Sequence, residues 1–412
     1  MLIGICGSIC AGKHTTAEYL VQQLGFLRLH LPTPTQLQPL QNSSNGTIPS
    51  HVSRSNATSS PSPPTIDQLC LLPSVTDQVG TRGLSFPDVE SLLDFVTKRW
   101  REHWVLTDIY DEETLELLLR RPFFMLINVD APVGVRYKRF SDRCTKRNLP
   151  RMPLADFIHY NDLQLYGSRG HTDTNPGPAP DPISRPDTCS RSALAPLLAH
   201  AHLSILNTHP TPHTYHAFLA TLDLSSPTRL RPTWDAYFMT LASLASRRSN
   251  CMKRRVGCVL VHHARIISTG YNGTPRGLVN CNEGGCPRCN TGASGGGVAL
   301  ATCLCLHAEE NALLEAGRER IREGAVLYCD TCPCLTCSVK IAQVGVKEVV
   351  YSQSYNMDEA SRRVLGEAGV TLRQFVPTRS GFVGFDIPAK GDWDADLDGA
   401  EEGQLVVLNG KK

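Results

Sequence analysis

The stretches HAEENALL (residues 307–314) and CDTCPCLTC (residues 329–337) decide how the second half of this chain folds. They offer one imidazole and two thiols, from His307, Cys334 and Cys337. Zinc accepts nitrogen and thiolate ligands, and a catalytic zinc site uses three protein ligands and keeps one position open. Glu309, two residues after the histidine, is not needed as a ligand, and a carboxylate beside such a site can move protons. These residues therefore predict a catalytic zinc centre with its own proton carrier.

The spacing of these residues also predicts where the helices begin. In mid-helix, positions i and i+2 point about 200° apart, so His307 and Glu309 can converge only at an N-terminal turn. The helical pattern starts at that point, and Gly317 is a typical stop. Cys334 and Cys337 lie where a strand over residues 325–329 gives way to a helix over residues 335–345. We expect helix-end amides and the metal to favour their thiolate forms.

The order H-x-E…P-C-x-x-C is the signature of zinc deaminases that act on nucleobases. The alternative is a closed zinc site with a purely structural role, since further cysteines lie nearby. That alternative explains neither Glu309 nor the order of the histidine and the glutamate. The pattern favours catalysis.

Further stretches carry a family resemblance. The chain over roughly residues 232–376 resembles deoxycytidylate deaminases of fungal type, through WDAYFMTLASLASRRSNCMKRRVG (residues 234–257), GYNGTPRG (residues 270–277), CLHAEENALLEAG (residues 305–317), CDTCPCLTCSVK (residues 329–340) and VVYSQSYNMDEAS (residues 349–361). This resemblance implies zinc-dependent hydrolysis of dCMP to dUMP and ammonia, supplying dUMP for thymidylate synthesis. It also implies a three-layer α/β/α fold, a homo-oligomer, usually a hexamer, activation by dCTP and inhibition by dTTP.

Three residues are candidate contacts to the nucleotide. Arg248 lies in a basic run, and an arginine fork matches phosphate oxygens, although such a run is also typical of a solvated face. Asn272 offers a donor and an acceptor for a sugar hydroxyl or a base edge, the alternative being an ordinary Asn-Gly turn. Tyr355 is a third candidate, with a structural aromatic as its alternative. The resemblance favours the binding roles.

A second group of cysteines indicates a structural zinc. CPRC (residues 286–289) is a typical half-site, and a glycine-rich loop beside it could not hold its shape by packing. The candidate ligands, of which the sequence does not choose four, are Cys281, Cys286, Cys289, Cys303 and Cys305. Reduced, unliganded thiols are the alternative.

Composition narrows the class of protein. The chain has 412 residues, enough for two domains, with a formal net charge of +2 and a pI near 7.9. This balance argues against a large nucleic-acid footprint, and no apolar run predicts a membrane span. Most of the sixteen cysteines cluster between Cys251 and Cys337, where CxxC and CxC spacings suit metal binding in a reducing compartment. We therefore expect a cytoplasmic or nuclear protein.

The N-terminus predicts a second α/β domain. MLIGICG reads as a buried strand, and Gly7, Gly12 and Lys13 have the spacing of a phosphate-binding P-loop. His14 stands where a serine or threonine normally ligates Mg²⁺. The GK-x-T form of this loop resembles that of deoxynucleoside monophosphate kinases. That resemblance suggests a nucleotide contact for Asp108 and a lid formed by Arg136, Arg139 and Arg143. The alternative is a structural strand–loop–helix with solvated arginines, and we expect the kinase activity to be vestigial.

The predicted organisation is a P-loop-kinase-like α/β domain over residues 1–227, a zinc deaminase domain over residues 228–388 and an acidic mobile tail over residues 389–412. Two Ser- and Pro-rich insertions, at about residues 31–66 and 167–190, are too poor in large apolar residues to order. In the deaminase domain we expect a helix, a β-hairpin and then alternating helices and strands. On the first of these helices, one face is predicted to be core: Tyr237, Leu241, Leu244 and Ala245.

Two rival functions remain at the level of sequence. One is deamination of cytidine or adenosine in a polynucleotide or tRNA, and the other is a zinc-stabilised nucleotide-sensing module without turnover. The basic residue Arg248 and the short GYNGTPRG loop favour a free mononucleotide.

Overall fold

The computed structural model describes residues 1–32, 83–167, 193–291, 302–354, 358–377 and 381–384. The chain divides into two compact units: Met1–Ser225 with Arg379–Lys412, and Ser226–Thr378. Both predicted insertions, apart from their first residues, lie outside the described residues, as do the predicted acidic tail and Tyr355. Within the described residues, no helix is long and apolar enough to cross a membrane.

The first unit is an α/β domain. Its elements are β1 (Leu2–Gly7), α1 (Lys13–Leu24), β2 (Leu27–His30), β3 (Leu84–Ser85), α2 (Val89–Lys98), β4 (Trp104–Leu106), α3 (Glu112–Leu119), β5 (Phe124–Asp130), α4 (Val133–Lys146), α5 (Leu154–Tyr166), α6 (Leu194–Ala199), β6 (Leu203–Leu206) and α7 (Pro212–Ala220). All its described strand pairs are parallel, in the order β6-β5-β1-β4-β2-β3. β1 is central and buried along its whole length, as expected for a parallel sheet covered by helices.

The second unit is the predicted helix-covered sheet. Its elements are α8 (Trp234–Ser246), β7 (Gly257–His262), β8 (Arg265–Tyr271), α9 (Pro287–Asn290), α10 (Ala308–Ala316), β9 (Val326–Thr331), α11 (Leu335–Val344), β10 (Glu348–Gln353), α12 (Asp358–Glu367) and β11 (Thr371–Gln374). The strand order is β11-β10-β9-β7-β8; β7 pairs antiparallel with β8 and β9, while β9, β10 and β11 run parallel. The predicted hairpin and the alternation of helices and strands are confirmed.

Alternate residues of β7 face opposite layers. Cys258 and Leu260 join the core that α10 and α11 cover, whereas Val259 and Val261 pack with Phe238 of α8. Because neighbouring side chains on a strand point to opposite faces, one short strand serves both cores. This arrangement is the predicted three-layer α/β/α fold.

The predicted core face of α8 is wrong in part. Phe238, Met239 and Ala242 are the buried residues of this helix, while Tyr237 is 42% exposed and Leu244 is 56% exposed. The helix turns this way because the aromatic ring of Phe238 packs on the sheet beside Tyr328, at a centroid distance of 5.1 Å. An apolar period alone does not choose between two neighbouring faces of a helix.

The predicted C-terminal limit of the deaminase domain also needs correction. Residues 381–383 were expected within a domain ending at residue 388, but the strand Gly381–Val383 pairs in parallel with β6 in the first unit. Val383 is buried there, and Gly384 has a φ of 104° where a side chain would meet the Leu206 carbonyl. The sequence does not identify the pairing partner of this short strand, because an edge strand pairs through backbone hydrogen bonds that almost any residue can form.

Two glycines give a matched test of the packing of the second unit. A Cβ on Gly257 would lie 1.9 Å from the Ala242 carbonyl oxygen, whereas a Cβ on Gly366 of α12 would meet nothing within 4 Å. We expect Gly257→Ala to lower the free energy of unfolding by about 1–3 kcal/mol, since α8 must move. Gly366→Ala should leave it unchanged or raise it by up to about 1 kcal/mol, through helix propensity. Denaturant unfolding of both variants measures the difference, and equal stabilities would contradict the close approach of α8 to β7.

Candidate active site

His307 and Glu309 lie at the beginning of α10. His307 is the N-cap residue, with extended backbone angles (φ −77°, ψ 156°), and Glu309 is in the first helical turn. The helix ends before Gly317. Both predicted boundaries of this helix are confirmed, and because the N-cap residue is not yet helical, its side chain can turn toward the same side as Glu309.

Cys334 and Cys337 occupy the same positions in α11. Cys334 is the N-cap residue and Cys337 lies in the first turn, after β9 has ended at Thr331. The intervening turn is held from α12, where the Ser361 hydroxyl donates a 2.6 Å hydrogen bond to the Pro333 carbonyl. The predicted strand-to-helix junction is confirmed, so the positive ends of two helix dipoles meet at this point.

The three predicted ligands converge. The Nδ1 atom of His307 lies 3.3 Å from the Cys334 sulfur and 3.4 Å from the Cys337 sulfur. Zinc–nitrogen and zinc–sulfur bonds of about 2.05 and 2.3 Å at tetrahedral angles place these atoms about 3.6 Å apart. All three atoms lie within 4.8 Å of one another. The donor set and its spacing therefore fit one tetrahedral zinc with a fourth position left for another ligand.

The charges of the site also suit a cation. Hydrogen bonds from Cys337 and from His307 lower the pKa of Cys334 to about 3. The neighbouring Cys334 thiolate and burial raise the pKa of Cys337, because two adjacent buried thiolates repel each other. His307 in turn has a raised pKa, chiefly through its hydrogen bond to Cys334. A divalent cation removes this conflict, since it stabilises both thiolates at once.

Glu309 is buried beside these ligands. It is 4% exposed, and burial raises the pKa of its carboxyl group to about 7, partly offset by His307. Desolvation is the main cause, because a buried carboxylate loses its hydration. A carboxyl group with this pKa can both accept and donate a proton near neutral pH.

A glycine brings α10 against the sheet. A Cβ on Gly270 of β8 would lie 2.1 Å from the Ala308 carbonyl oxygen. The Ser268 hydroxyl donates to the Ala312 carbonyl at 2.7 Å, and the Asn311 amide donates to the Tyr271 carbonyl at 2.9 Å. These contacts fix where α10 lies along β8. They therefore also fix the position of His307 at the N-terminus of the helix.

The candidate nucleotide contacts differ in their surroundings. Asn272 is buried, and its Oδ1 atom accepts from the Ser249 hydroxyl at 2.7 Å and from the Val256 amide at 2.8 Å, while its Nδ2 atom donates to the Arg254 carbonyl at 2.7 Å. Most of its amide group is therefore used to hold the loop, which leaves one N–H. Arg248 is exposed just after α8. The roles predicted for both residues stay predictions.

Sequence reasoning missed Ser249 and Asn250. Besides its bond to the Asn272 side chain, Ser249 donates to the Asn272 carbonyl at 2.8 Å. The Asn250 side chain accepts from the Thr274 amide and donates to Asn280. The only signal in the sequence was that two small polar residues interrupt a basic run, which does not identify partners more than twenty residues away.

The second group of cysteines also converges, with one addition. The buried residues Cys281, Cys286, Cys289 and Cys305 form a cluster with the partly buried Cys303, and Cys251 joins it from the loop after α8. Cys251 was not among the predicted ligands, because it lies in no CxxC pair and is 30 residues before the nearest of them.

In the first unit, the glycine-rich loop links β1 to α1. Gly7 and Gly12 have φ values of 149° and 121°, which favour glycine, and Lys13 Nζ donates to the Gly7 carbonyl at 3.0 Å. The loop borders a cavity of about 530 Å³, also lined by Arg143, Lys146 and residues of the 207–215 segment. Basic side chains and loop amides thus face one concave space.

The other residues predicted for this unit hold the structure together. Arg136 is buried and donates to the Ala131 carbonyl and to Asn161, while Arg139 donates to the carbonyls of the glycine-rich loop. Asp108 accepts from His30 at 3.1 Å. The predicted lid is therefore wrong for Arg136 and Arg139, whose guanidinium groups bind backbone and side-chain oxygens of this unit.

Comparisons with known proteins find a family match in the second unit and relatives that cover most of the chain. The family "Cytidine and deoxycytidylate deaminase zinc-binding region" matches residues 232–353. Deoxycytidylate deaminase of Schizosaccharomyces pombe is 44% identical over 379 residues, covering 91% of this chain and 97% of that protein. Deoxycytidylate deaminase of Saccharomyces cerevisiae is 46% identical over 286 residues, covering 69% and 85%. The crystal structure of dCMP deaminase from cyanophage S-TIM5 with dCMP and dUMP matches 35% of this chain and 98% of its own, with 32% identity and a TM-score of 0.29.

The ligand role of His307 can be tested by metal content. We expect His307→Ala to lose one zinc ion per chain relative to the unmodified protein, because two thiolates alone hold zinc weakly. His262→Ala is a matched control, since that histidine contacts only the Glu323 carbonyl among the hydrogen bonds described for it. Elemental analysis after gel filtration with a competing chelator gives the count. Equal zinc in both variants would exclude His307 as a ligand.

Proposed function

The chain belongs to the deoxycytidylate deaminase family, and we propose that it hydrolyses the 4-amino group of dCMP to give dUMP and ammonia. The observation that carries this proposal is the meeting of His307, Cys334 and Cys337 at tetrahedral spacing, with Glu309 in the same helical turn. A structural zinc site has no need of a buried carboxylate at that place.

Each residue has a proposed task. His307, Cys334 and Cys337 hold zinc, which when bound supplies the Lewis acidity that makes hydroxide available near neutral pH. Glu309 takes one proton of the attacking water and delivers it to N3 of the cytosine ring. It then takes the remaining proton from the new C4 hydroxyl group and delivers it to the amine, so that the C4 carbonyl forms as ammonia departs. Its burial supports this role, because a carboxyl group with a pKa of about 7 exchanges protons at little cost near neutral pH.

Three residues are proposed to bind the nucleotide. The remaining N–H of Asn272 is offered to the sugar or the base, and its rigid anchoring by Ser249 supports a precise contact. The exposed guanidinium of Arg248 is proposed for the 5′-phosphate. Tyr355 is proposed as a further ligand-facing residue from its place in the sequence just after β10.

We also propose a structural zinc in the second cysteine group. Its support is the convergence of buried thiols in loops that have little apolar packing of their own. Such a site would hold the loop before α10 without taking part in the reaction.

For the first unit we propose a P-loop-kinase-like domain that binds a nucleotide through Gly7, Gly12 and Lys13 without transferring phosphate. The loop lies at the carboxyl end of β1, where the chain leaves toward β4 and β2 on one side and later toward β5 and β6 on the other. Ligands of open parallel sheets bind at such a switch point. His14 cannot replace a hydroxyl on Mg²⁺, and its Nδ1 atom lies 3.3 Å from Arg28.

The family resemblance supports further proposals on regulation and location. These are activation by dCTP, inhibition by dTTP and assembly as a homo-oligomer, a hexamer. A cytoplasmic or nuclear location is supported by the cysteines, all of which are free thiols within the described ranges.

Substrate comparison tests the proposed reaction. The full chain should release ammonia from dCMP far faster than from cytidine, dCTP or single-stranded DNA, because the proposed contact of Arg248 with the 5′-phosphate selects a nucleoside monophosphate. Preference for single-stranded DNA or tRNA would favour a polynucleotide deaminase. A zinc-loaded protein with no turnover of any of these compounds would favour a nucleotide-sensing module.

The role of Glu309 has a matched control in the next residue. Glu309→Gln keeps the shape of the side chain but removes the proton carrier, so turnover should fall at least about 10²-fold while zinc content is unchanged. Glu310 is instead ion-paired with Lys340 at 2.6 Å. Glu310→Gln should keep turnover near that of the unmodified enzyme, since partly exposed ion pairs contribute little. Similar turnover in the two variants would rule out the assigned role.

Nucleotide binding by the first unit is tested with ATP, which is not a cytosine nucleotide. Lys13→Ala should weaken ATP binding at least about tenfold, because a charged hydrogen bond to phosphate is lost. Lys98→Ala is the control, as this lysine pairs only with Asp94 on the surface of α2 among the ion pairs described. Calorimetric titration of the full chain measures both affinities. Unchanged affinity in Lys13→Ala, or phosphoryl transfer from ATP to dCMP, would contradict the proposal.

A further inference from the structure

Six thiols of the second unit form two overlapping groups. Within each group, all sulfurs lie within 4.8 Å of one another. The first group is Cys251, Cys281, Cys289 and Cys305, and the second is Cys286, Cys289, Cys303 and Cys305. We call the six residues together the thiol cluster. Cys289 and Cys305 belong to both groups, so the two groups share an edge.

The spacing of the sulfurs matches metal coordination. Zinc–sulfur bonds of about 2.3 Å at tetrahedral angles separate two sulfurs by about 3.8 Å. The Sγ–Sγ distances are 3.9 Å for Cys251–Cys289, 3.7 Å for Cys289–Cys303, 3.9 Å for Cys286–Cys303 and 4.0 Å for Cys289–Cys305. Because sulfurs in plain van der Waals contact lie at similar distances, it is the number and the grouping of the six sulfurs that carry the inference.

One zinc ion cannot use the whole cluster. A structural zinc takes four ligands, so either group alone leaves two thiols in contact with the coordinated sulfurs and without a metal. Two tetrahedra that share one edge need six sulfurs, which is the number present. The overlap of the two groups supplies that shared edge.

We propose that the thiol cluster holds two zinc ions, bridged by the thiolates of Cys289 and Cys305. Cys251 and Cys281 complete the first tetrahedron, and Cys286 and Cys303 complete the second. This inference rests on the structural metal site proposed above and is independent of the proposed reaction. It changes that site from four ligands to six, and adds Cys251 as a ligand.

The surroundings suit the charge of such a centre. Six thiolates and two divalent ions leave two negative charges. The Arg288 guanidinium donates to the sulfurs of Cys289 and Cys303. Backbone amides supply further donors: those of Lys253 and Arg254 to Cys251, and those of Cys289 and Leu304 to Cys286. Hydrogen bonds of this kind stabilise the thiolate form.

The position of the cluster gives it a structural task. Cys251 lies two residues after Ser249, which holds Asn272, and Cys305 lies two residues before His307. Between them, Gly273 and Leu306 exchange backbone hydrogen bonds of 3.2 and 2.8 Å. The cluster therefore connects the loop of Asn272 to the segment that delivers the histidine ligand.

The first test is the zinc content of the unmodified full chain, measured by elemental analysis and by native mass spectrometry. One zinc at His307, Cys334 and Cys337 plus two in the thiol cluster gives an expected count of three per chain. A count of two would mean a single zinc in the cluster and would overturn this inference while leaving a structural site in place. A count of one would exclude both the two-zinc centre and a single structural zinc in the thiol cluster. Neither result would bear on deamination.

Single substitutions then assign the ligands. Cys251→Ser and Cys303→Ser should each lose at least one zinc, because each removes a ligand of a different ion, and Cys289→Ser should lose two. A mononuclear site would leave the count unchanged in either Cys251→Ser or Cys303→Ser, and that result would overturn the proposal. Cys144→Ser, a buried thiol of the first unit, is the matched control and should keep all three.

The bridging can be tested without any substitution. The unmodified chain is loaded with an NMR-active cadmium isotope, which takes the same thiolate ligands as zinc. Two cadmium resonances coupled to each other through the shared sulfurs are expected. Cadmium signals from the cluster without mutual coupling would exclude the bridges, even if variants fail to fold.

Discussion

The second unit depends on the convergence of two helix N-termini on one point beside the sheet. Cys334 and His307 are both N-cap residues, and each helix contributes a second group from its first turn. Two adjacent buried thiolates repel each other, and a divalent cation stabilises both of them. Helix dipoles favour the same thiolates, and the backbone therefore prepares the site that a metal completes.

The rest of this unit keeps that point in place. Gly270 lets α10 approach β8 to a distance that any side chain would prevent, and Gly257 does the same for α8 on β7. The loops that carry Asn272 and the six thiols are polar and rich in glycine. They are held by the Ser249–Asn272 hydrogen bonds and by the six thiols, which explains why buried cysteines are concentrated where apolar side chains are scarce.

In the first unit the candidate binding site also lies at a helix N-terminus, but its surroundings differ. A loop again joins a buried strand to a helix N-terminus, but here the loop is rich in glycine, and basic residues face the cavity beside it. Here, however, Arg139 and the Asn207 side chain, which also line the cavity, donate hydrogen bonds to the Ala11 carbonyl of the loop. Those bonds preform the loop without a ligand, which suits binding more than a reaction that must open and close around phosphates.

The sequence by itself determined the residues whose chemistry is local. The spacing of His307 and Glu309 and the PCxxC turn specify helix starts, because caps and short turns depend on neighbours within one turn of chain. The hairpin at residues 257–271 was predicted from strand propensity, although its turn uses His263 and Ala264 at positive φ instead of the usual glycine or asparagine. The order of helices and strands followed from the same local patterns.

Only the tertiary structure decided contacts between distant segments. Cys251 joins thiols at least 30 residues away, Gly381–Val383 completes a sheet begun by residues 2–7, and α8 buries Phe238 and Ala242 but exposes Leu244. Arg136 and Arg139 looked free in the sequence but bind backbone carbonyls. In each case the outcome depends on which surfaces meet across the chain, and a local pattern carries no information about that meeting. Sequence reasoning therefore missed three kinds of feature: a metal ligand that stands alone in the sequence, an edge strand, and arginines with a structural role.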